Sequence, residues 1–137
     1  MTLVLDSWPI LEWFYNRSPA DKLFESLLES TYRENIRLCM SRMNLGEVYY
    51  SAIKEYKDVS AGSTLLRQLD RLPIEVVSVS DEHVDVAARL KSIYKISYAD
   101  GFAAALGMER HAPVATGDRD FRLLAADGIL VVHWMGA

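Results

Sequence analysis

Short runs of consecutive apolar residues alternate along this chain with longer segments of helical periodicity. Thr2-Leu3-Val4-Leu5, Ile36-Arg37-Leu38-Cys39-Met40 and Pro113-Val114-Ala115-Thr116 read as strands, and so do Ile74–Val79 and Ile129–His133. Strands that are apolar at successive positions are covered on both faces, which is the habit of parallel sheets. Between them lie helix signals. Ser18-Pro19 reads as an N-cap followed by proline at the first helical position. The helix it opens carries Leu23, Phe24, Leu27 and Leu28 inward. Met43–Tyr56 has a stripe of Leu45, Val48, Tyr49, Ala52, Ile53 and Tyr56 at helical spacing. Ser60–Arg71, Asp81–Tyr94 (inner face Val84, Ala87, Ala88, Leu90) and the alanine-rich Tyr98–Met108 also read as helices. Trp8–Tyr15 and Phe121–Ala126 are shorter ones. The pattern predicts a three-layer α/β/α fold around a central, mostly parallel sheet, joined by right-handed crossovers.

A chain of 137 residues suits one domain, residues 1–137, and no repeat, low-complexity tract or linker divides it. No stretch approaches the roughly 20 apolar residues of a membrane span. Asp6 interrupts the first apolar run, so the N-terminus does not read as a signal peptide. The single cysteine, Cys39, cannot form an internal disulfide and reads as a small buried hydrophobe in a cytoplasmic protein. A net charge of −4 argues against a broad phosphate-binding surface. It leaves room for a nucleic-acid enzyme whose acids are neutralised by metal.

Position singles out five of the acids. Asp6 follows the first strand directly, and Asp118 follows the Pro113–Thr116 strand across Gly117. Both therefore stand at carboxyl ends of parallel strands, where open α/β sheets bind ligands. Asp100 lies near the start of the alanine-rich helix. Ser97-x-x-Asp100 has capping-box spacing, so Asp100 reads equally as a helix cap or as an acid aimed at the sheet edge. Glu47 lies opposite the apolar stripe of its helix, with Asn44, Ser51 and Lys54, on either a solvated face or the wall of a wet cleft. Asp120 is placed to ligate metal or to cap the short helix after it, and Thr116 to orient a carboxylate or simply to fill a strand. The three histidines form no metal or nucleophile constellation; His83 and His111 read as surface residues and His133 ends a strand. A receiver-type phosphoacceptor needs paired acids after the first strand, and Ser7 follows Asp6. A haloacid-dehalogenase-type phosphatase needs a second aspartate two residues on, where Trp8 stands.

Strand-Asp6-Ser7, Asn44-x-x-Glu47, Tyr98-Ala99-Asp100-x-x-x-Ala104 and Thr116-Gly117-Asp118-x-Asp120-Phe121 occur in the order found in PIN domains. The chain resembles that family over its whole length. In size and element order it is similar to VapC-type toxins of toxin–antitoxin pairs. The resemblance implies about five strands in the sheet and an acidic metal site of Asp6, Glu47, Asp100 and Asp118. Asp120 matches a frequent additional acid, and Thr116 and Asn44 match supporting polar positions. It further implies an endoribonuclease dependent on Mg²⁺ or Mn²⁺, commonly a homodimer, inhibited by a cognate antitoxin. Gly101 departs from the alanine common at its position and weakens its helix slightly. A PIN-like module that binds RNA or protein without cutting is the alternative reading.

The chemistry suits these residues. Phosphodiester hydrolysis needs an activated water and neutralised phosphate oxygens, which divalent ions provide. Carboxylates without converging Cys or His suit hard ions rather than zinc. Clustered carboxylates should also raise one another's pKa, so metal binding should weaken at acidic pH. Arg42, Arg119 and Arg122 flank the expected site, as phosphate contacts or ordinary surface arginines. Trp8, Trp13, Phe14, Tyr15, Tyr49 and Tyr50 exceed what one core face absorbs, so part of this group is expected to meet an antitoxin or a second copy.

Overall fold

The computed structural model describes residues 1–136. Five strands form its centre: β1 (Thr2–Leu5), β2 (Arg37–Ser41), β3 (Ile74–Val77), β4 (Val114–Thr116) and β5 (Val132–Trp134). Their order is β3-β2-β1-β4-β5 and every neighbouring pair is parallel. The helices are α1 (Ser7–Phe14), α2 (Ala20–Arg33), α3 (Arg42–Tyr56), α4 (Val59–Asp70), α5 (Asp81–Ile93), α6 (Tyr98–Arg110) and α7 (Phe121–Ala126).

Successive side chains of a strand point to opposite faces, and β1 shows why its run is apolar throughout. Leu3 and Leu5 enter a core with Ile10 of α1, Phe24 and Leu27 of α2, Val48 and Ala52 of α3, and Leu65 and Leu69 of α4. Val4 points the other way, into a core with Leu90 of α5, Ala103, Ala104 and Leu106 of α6, and Phe121 and Leu124 of α7. These two cores make the three layers. Cys39 belongs to the second, and burial pushes its thiol up to about 11, which leaves it unreactive.

Strand order reverses between β1 and β4: the chain builds outward through β2 and β3, then returns to the far side of β1. Chains emerging from the carboxyl ends of β1 and β4 diverge there and leave a crevice. α6 runs back toward the start of β4, so its N-terminus faces that same rim. Small residues let it lie close to the sheet. A Cβ on Gly107 would stand only 2.8 Å from Val114 Cγ2, and one on Gly101 only 3.1 Å from the Cβ and carbonyl oxygen of Ala87 on α5.

The structure departs from the sequence reading at several points. Leu23 of α2 and Tyr56 at the end of α3, expected on inner faces, are exposed. The α2 helix opens at Ala20, with Pro19 at the cap and the Ser18 hydroxyl donating to the Asp21 carboxylate at 2.8 Å. β3 ends at Val77 because Ser80 caps α5. Residues 129–131 do not join β5; they close α7 instead, with Gly128 left-handed and Ile129 N–H donating to Leu124 O. The inner face of α5 is His83, Val86, Ala87 and Leu90, while Val84 and Ala88 face solvent. His83 is therefore buried, not on the surface. Its Nδ1 accepts from Ser80 N–H and its Nε2 lies 2.6 Å from Glu109 of α6.

Gly107→Ala is expected to cost about 1–3 kcal/mol of unfolding free energy, because the added methyl overfills the α6–β4 contact. Urea denaturation checks this, and wild-type stability in the variant would contradict it.

Candidate active site

Asp6 directly follows β1, and its N–H still donates to Ala115 O at 3.2 Å, so the sheet itself aims this residue. Its side chain is buried, 1% exposed, and its Oδ2 accepts from Thr116 Oγ1 at 2.8 Å. Thr116 is the last residue of β4 and fully buried. Its hydroxyl also accepts from the N–H of Asp118 at 3.0 Å. One hydroxyl thus ties both acids to the carboxyl ends of neighbouring strands. The Asp118 carboxylate accepts from Asp120 N–H at 2.9 Å, which tightens the turn into α7.

Asp100 occupies the third position of α6. Ser97 caps the helix by accepting from Asp100 N–H at 3.1 Å, and the Asp100 carboxylate reaches back to Ser97 N–H at 3.4 Å. The cap therefore exists, and it presents the acid to the rim: Asp6, Asp100 and Asp118 each offer a carboxylate oxygen within 4.8 Å of the others.

Glu47 approaches from α3. Asn44, fully buried one turn earlier, donates from Nδ2 to Ala99 O at 3.1 Å and fastens the first turn of α3 to the first turn of α6. Glu47 is half-buried and close enough for its charge to raise the pKa of both Asp6 and Asp100. Its carboxylate lies outside the group of three. So does that of Asp120, which is exposed at the start of α7. Arg42 and Arg119 are exposed. Arg122 is exposed too, with its guanidinium 4.8 Å over the Trp134 ring. Trp8, Trp13 and Phe14 of the early aromatic group pack partly against the core, whereas Tyr50 is exposed. Sequence reasoning missed that Trp8 lies against Gly117, between Thr116 and Asp118. The one available signal was a glycine amid site residues.

The electrostatics are unfavourable for the protein alone. Burial, followed by the charge of Asp100 and then Glu47, pushes Asp6 up to about 8 against the hydrogen bond from Thr116. Burial and the charges of Asp118 and Glu47 push Asp100 up to about 7. Asp6 Oδ1, Glu47 Oε1 and Asn44 Oδ1 are buried without a partner among the described residues. The converging carboxylates of Asp6, Asp100 and Asp118, with Asp6 Oδ1 unpartnered, are what a divalent cation would satisfy, and an all-oxygen donor set suits Mg²⁺ or Mn²⁺. Asp6 and Asp100 are buried, and half-buried Glu47 and Asp118 with exposed Asp120 form the solvent side of the site. A groove of about 670 Å³, lined by Met108, His111, Ile129 and Leu130 among others, lies at the opposite, amino ends of β4 and β5.

The family model of the PIN domain matches residues 3–127. Among solved structures, the fold is similar to DNA-bound VapBC from Salmonella typhimurium, 16% identical over 98% of each chain with a TM-score of 0.75. VapBC2 from Rickettsia felis, bound to a DNA fragment from its promoter, is 17% identical over 97% of this chain and 98% of that one, at 0.72. Mycobacterium tuberculosis VapC20, described as a Sarcin-Ricin loop cleaving toxin, is 14% identical over 88% and 93%, at 0.70. No curated protein matches the sequence.

Asp6 and Asp100 hold their protons more tightly folded than unfolded, so protonation favours the folded state. That contribution is fully present below the ordinary value of 3.8 and is lost as pH rises through about 7 and about 8. The Tm of the metal-free protein should therefore fall between about pH 5 and about pH 8. Asp6→Asn should flatten much of the slope. Identical slopes in wild type and variant, by calorimetry in EDTA, would contradict this electrostatic account.

Proposed function

Since the chain belongs to the PIN domain family, we propose that it is a divalent-metal-dependent endoribonuclease acting as the toxin of a VapC-type toxin–antitoxin pair. The observation that carries this reading is the meeting of three carboxylate oxygens within 4.8 Å at the switch point of the sheet. The residues fit Mg²⁺ or Mn²⁺, and Asp6, Asp100 and Asp118 would hold the ion. Such an ion supplies Lewis acidity, acidifying water and offsetting charge that grows on phosphodiester oxygens.

The chain's own groups do the rest. Thr116 fixes Asp6 and Asp118 relative to one another. Glu47, with one oxygen unpartnered, orients the attacking water and takes up its proton. Asn44 keeps Glu47 in register with Asp100 through Ala99. Asp120 serves the turn through its N–H and stands outside the ion's direct ligands. Arg42, Arg119 and Arg122 on the flanks supply positive charge for the RNA backbone, which an acidic chain otherwise lacks. An antitoxin and a second copy of the chain are the proposed protein partners. Exposed Tyr50 and Tyr56 offer aromatic surface for either. No described helix is long and apolar enough to cross a membrane.

With Mn²⁺ or Mg²⁺ the purified protein should cut RNA at discrete sites, and EDTA should stop it. Asp118→Asn should lower the rate by at least about a hundredfold, since even outer-shell partners of metals commonly cost 10–100-fold. Induced expression should arrest growth in wild type and not in Asp6→Asn. RNA binding without cleavage under any divalent ion would favour a non-catalytic module instead. Mn²⁺ affinity should tighten as pH rises from about 6 to about 8, because the ligands must be deprotonated. A pH-independent affinity in calorimetric titration would oppose the assigned ligand set.

A further inference from the structure

Resting on that reading, we infer that Trp8 is a positioning residue that holds the Asp118 loop at the distance from Asp6 that metal binding needs. Trp8 is the second residue of α1 and follows Asp6 by two. Its indole lies on Gly117: a Cβ built there would stand 2.4 Å from Cη2 and 2.6 Å from both Cζ2 and Cζ3. Not even a methyl group fits between ring and backbone. Gly117 is not in the left-handed region, where Gly128 is the glycine found, so its smallness is required by space and not by conformation. The same ring packs against the core below β1, with Ile10 and Phe24 among its members.

The consequence is mechanical. The loop after β4 carries Asp118 toward two acids of like charge, its carboxylate oxygen within 4.8 Å of those of Asp6 and Asp100. Repulsion favours a loop that drifts away from the crevice. Thr116 restrains it through one hydrogen bond to the Asp118 N–H. Trp8 adds a second restraint of a different kind, a flat apolar wall seated on the core and touching the residue between Thr116 and Asp118. Because Trp8 and Asp6 share the start of α1, the wall and the first carboxylate move together. The indole needs no contact with the ion to act this way.

The test is Mn²⁺ titration by calorimetry on the full chain without RNA, with circular dichroism reporting the fold. Trp8→Ala should weaken Mn²⁺ binding by about tenfold or more, in the range of groups that orient metal ligands. Trp8→Phe, which keeps a flat ring, should retain affinity within about threefold. Gly117→Ala should weaken binding like Trp8→Ala, because its methyl has no room. The double variant Trp8→Ala/Gly117→Ala should bind about as weakly as either single variant and not as the product of their losses, because both disturb one contact. Wild-type Mn²⁺ affinity in Trp8→Ala, with or without loss of RNA cleavage, would overturn the inference, and so would a Trp8→Phe variant as weak as Trp8→Ala. If Trp8→Ala fails to fold, unchanged affinity in Gly117→Ala would overturn it equally. A wild-type protein that binds no divalent ion would strike at the nuclease reading itself, whereas normal wild-type binding with an indifferent Trp8 would strike at Trp8 alone.

Discussion

Carboxylates of like charge are costly to bury together, and the rim of this sheet is organised around that cost. Asp6 has no exposure to speak of, Asp100 has little, and Glu47 and Asp118 are half-buried beside them. Burial first, and then their proximity, raise the pKa of Asp6 and Asp100, against which the hydroxyl of Thr116 is the strongest opposing group at Asp6. That hydroxyl is itself held by full burial at the end of β4 and by acceptance from the Asp118 N–H. Remove it and Asp6 would lose its one side-chain partner while Asp118 lost its tether. A cation would resolve the same conflict from the other side, by giving the converging carboxylates of Asp6, Asp100 and Asp118 a common partner.

The surrounding fold reads as support for this point. Asp6 and Thr116 are set by the parallel β1–β4 ladder, a more precise frame than a loop. Asp100 is set by α6, a helix whose alanines and Gly107 bring it almost onto β4 and β1. Asn44 then joins α3, which belongs to the opposite layer, to the N-terminus of α6. Acids from both layers and from the sheet between them therefore meet without relying on a long loop.

Legibility in the sequence varied with how local the determining physics was. β1 and β4 were readable because a doubly covered strand must be apolar at successive positions. The end of each strand was readable too, since Asp6 and Gly117-Asp118 break those runs. The face of α5 was misread because its inward group is polar. His83 is buried only because Ser80 and Glu109 satisfy both ring nitrogens, and hydrophobic periodicity does not register such a residue. β5 was placed three residues early because Ile129, Leu130 and Val131 are strand-like in type, yet they spend their backbone groups closing α7 and flanking β4. Trp8 reads in sequence as one of a cluster of aromatics, and nothing local shows that its ring faces a glycine more than 100 positions away in the chain.

The sequence by itself determined the alternation of strands and helices, the three layers, and which acids fall at strand or helix ends. Those properties follow from side-chain periodicity and capping, which act over a few residues. Only the tertiary structure decided that β4 returns beside β1, and hence that Asp6 and Asp118 become neighbours. It likewise separated Asp100, whose carboxylate joins them, from Asp120, whose carboxylate does not. Strand order and side-chain reach arise from packing between distant segments, and a local pattern of apolar and charged residues is the same whichever neighbour the strand acquires.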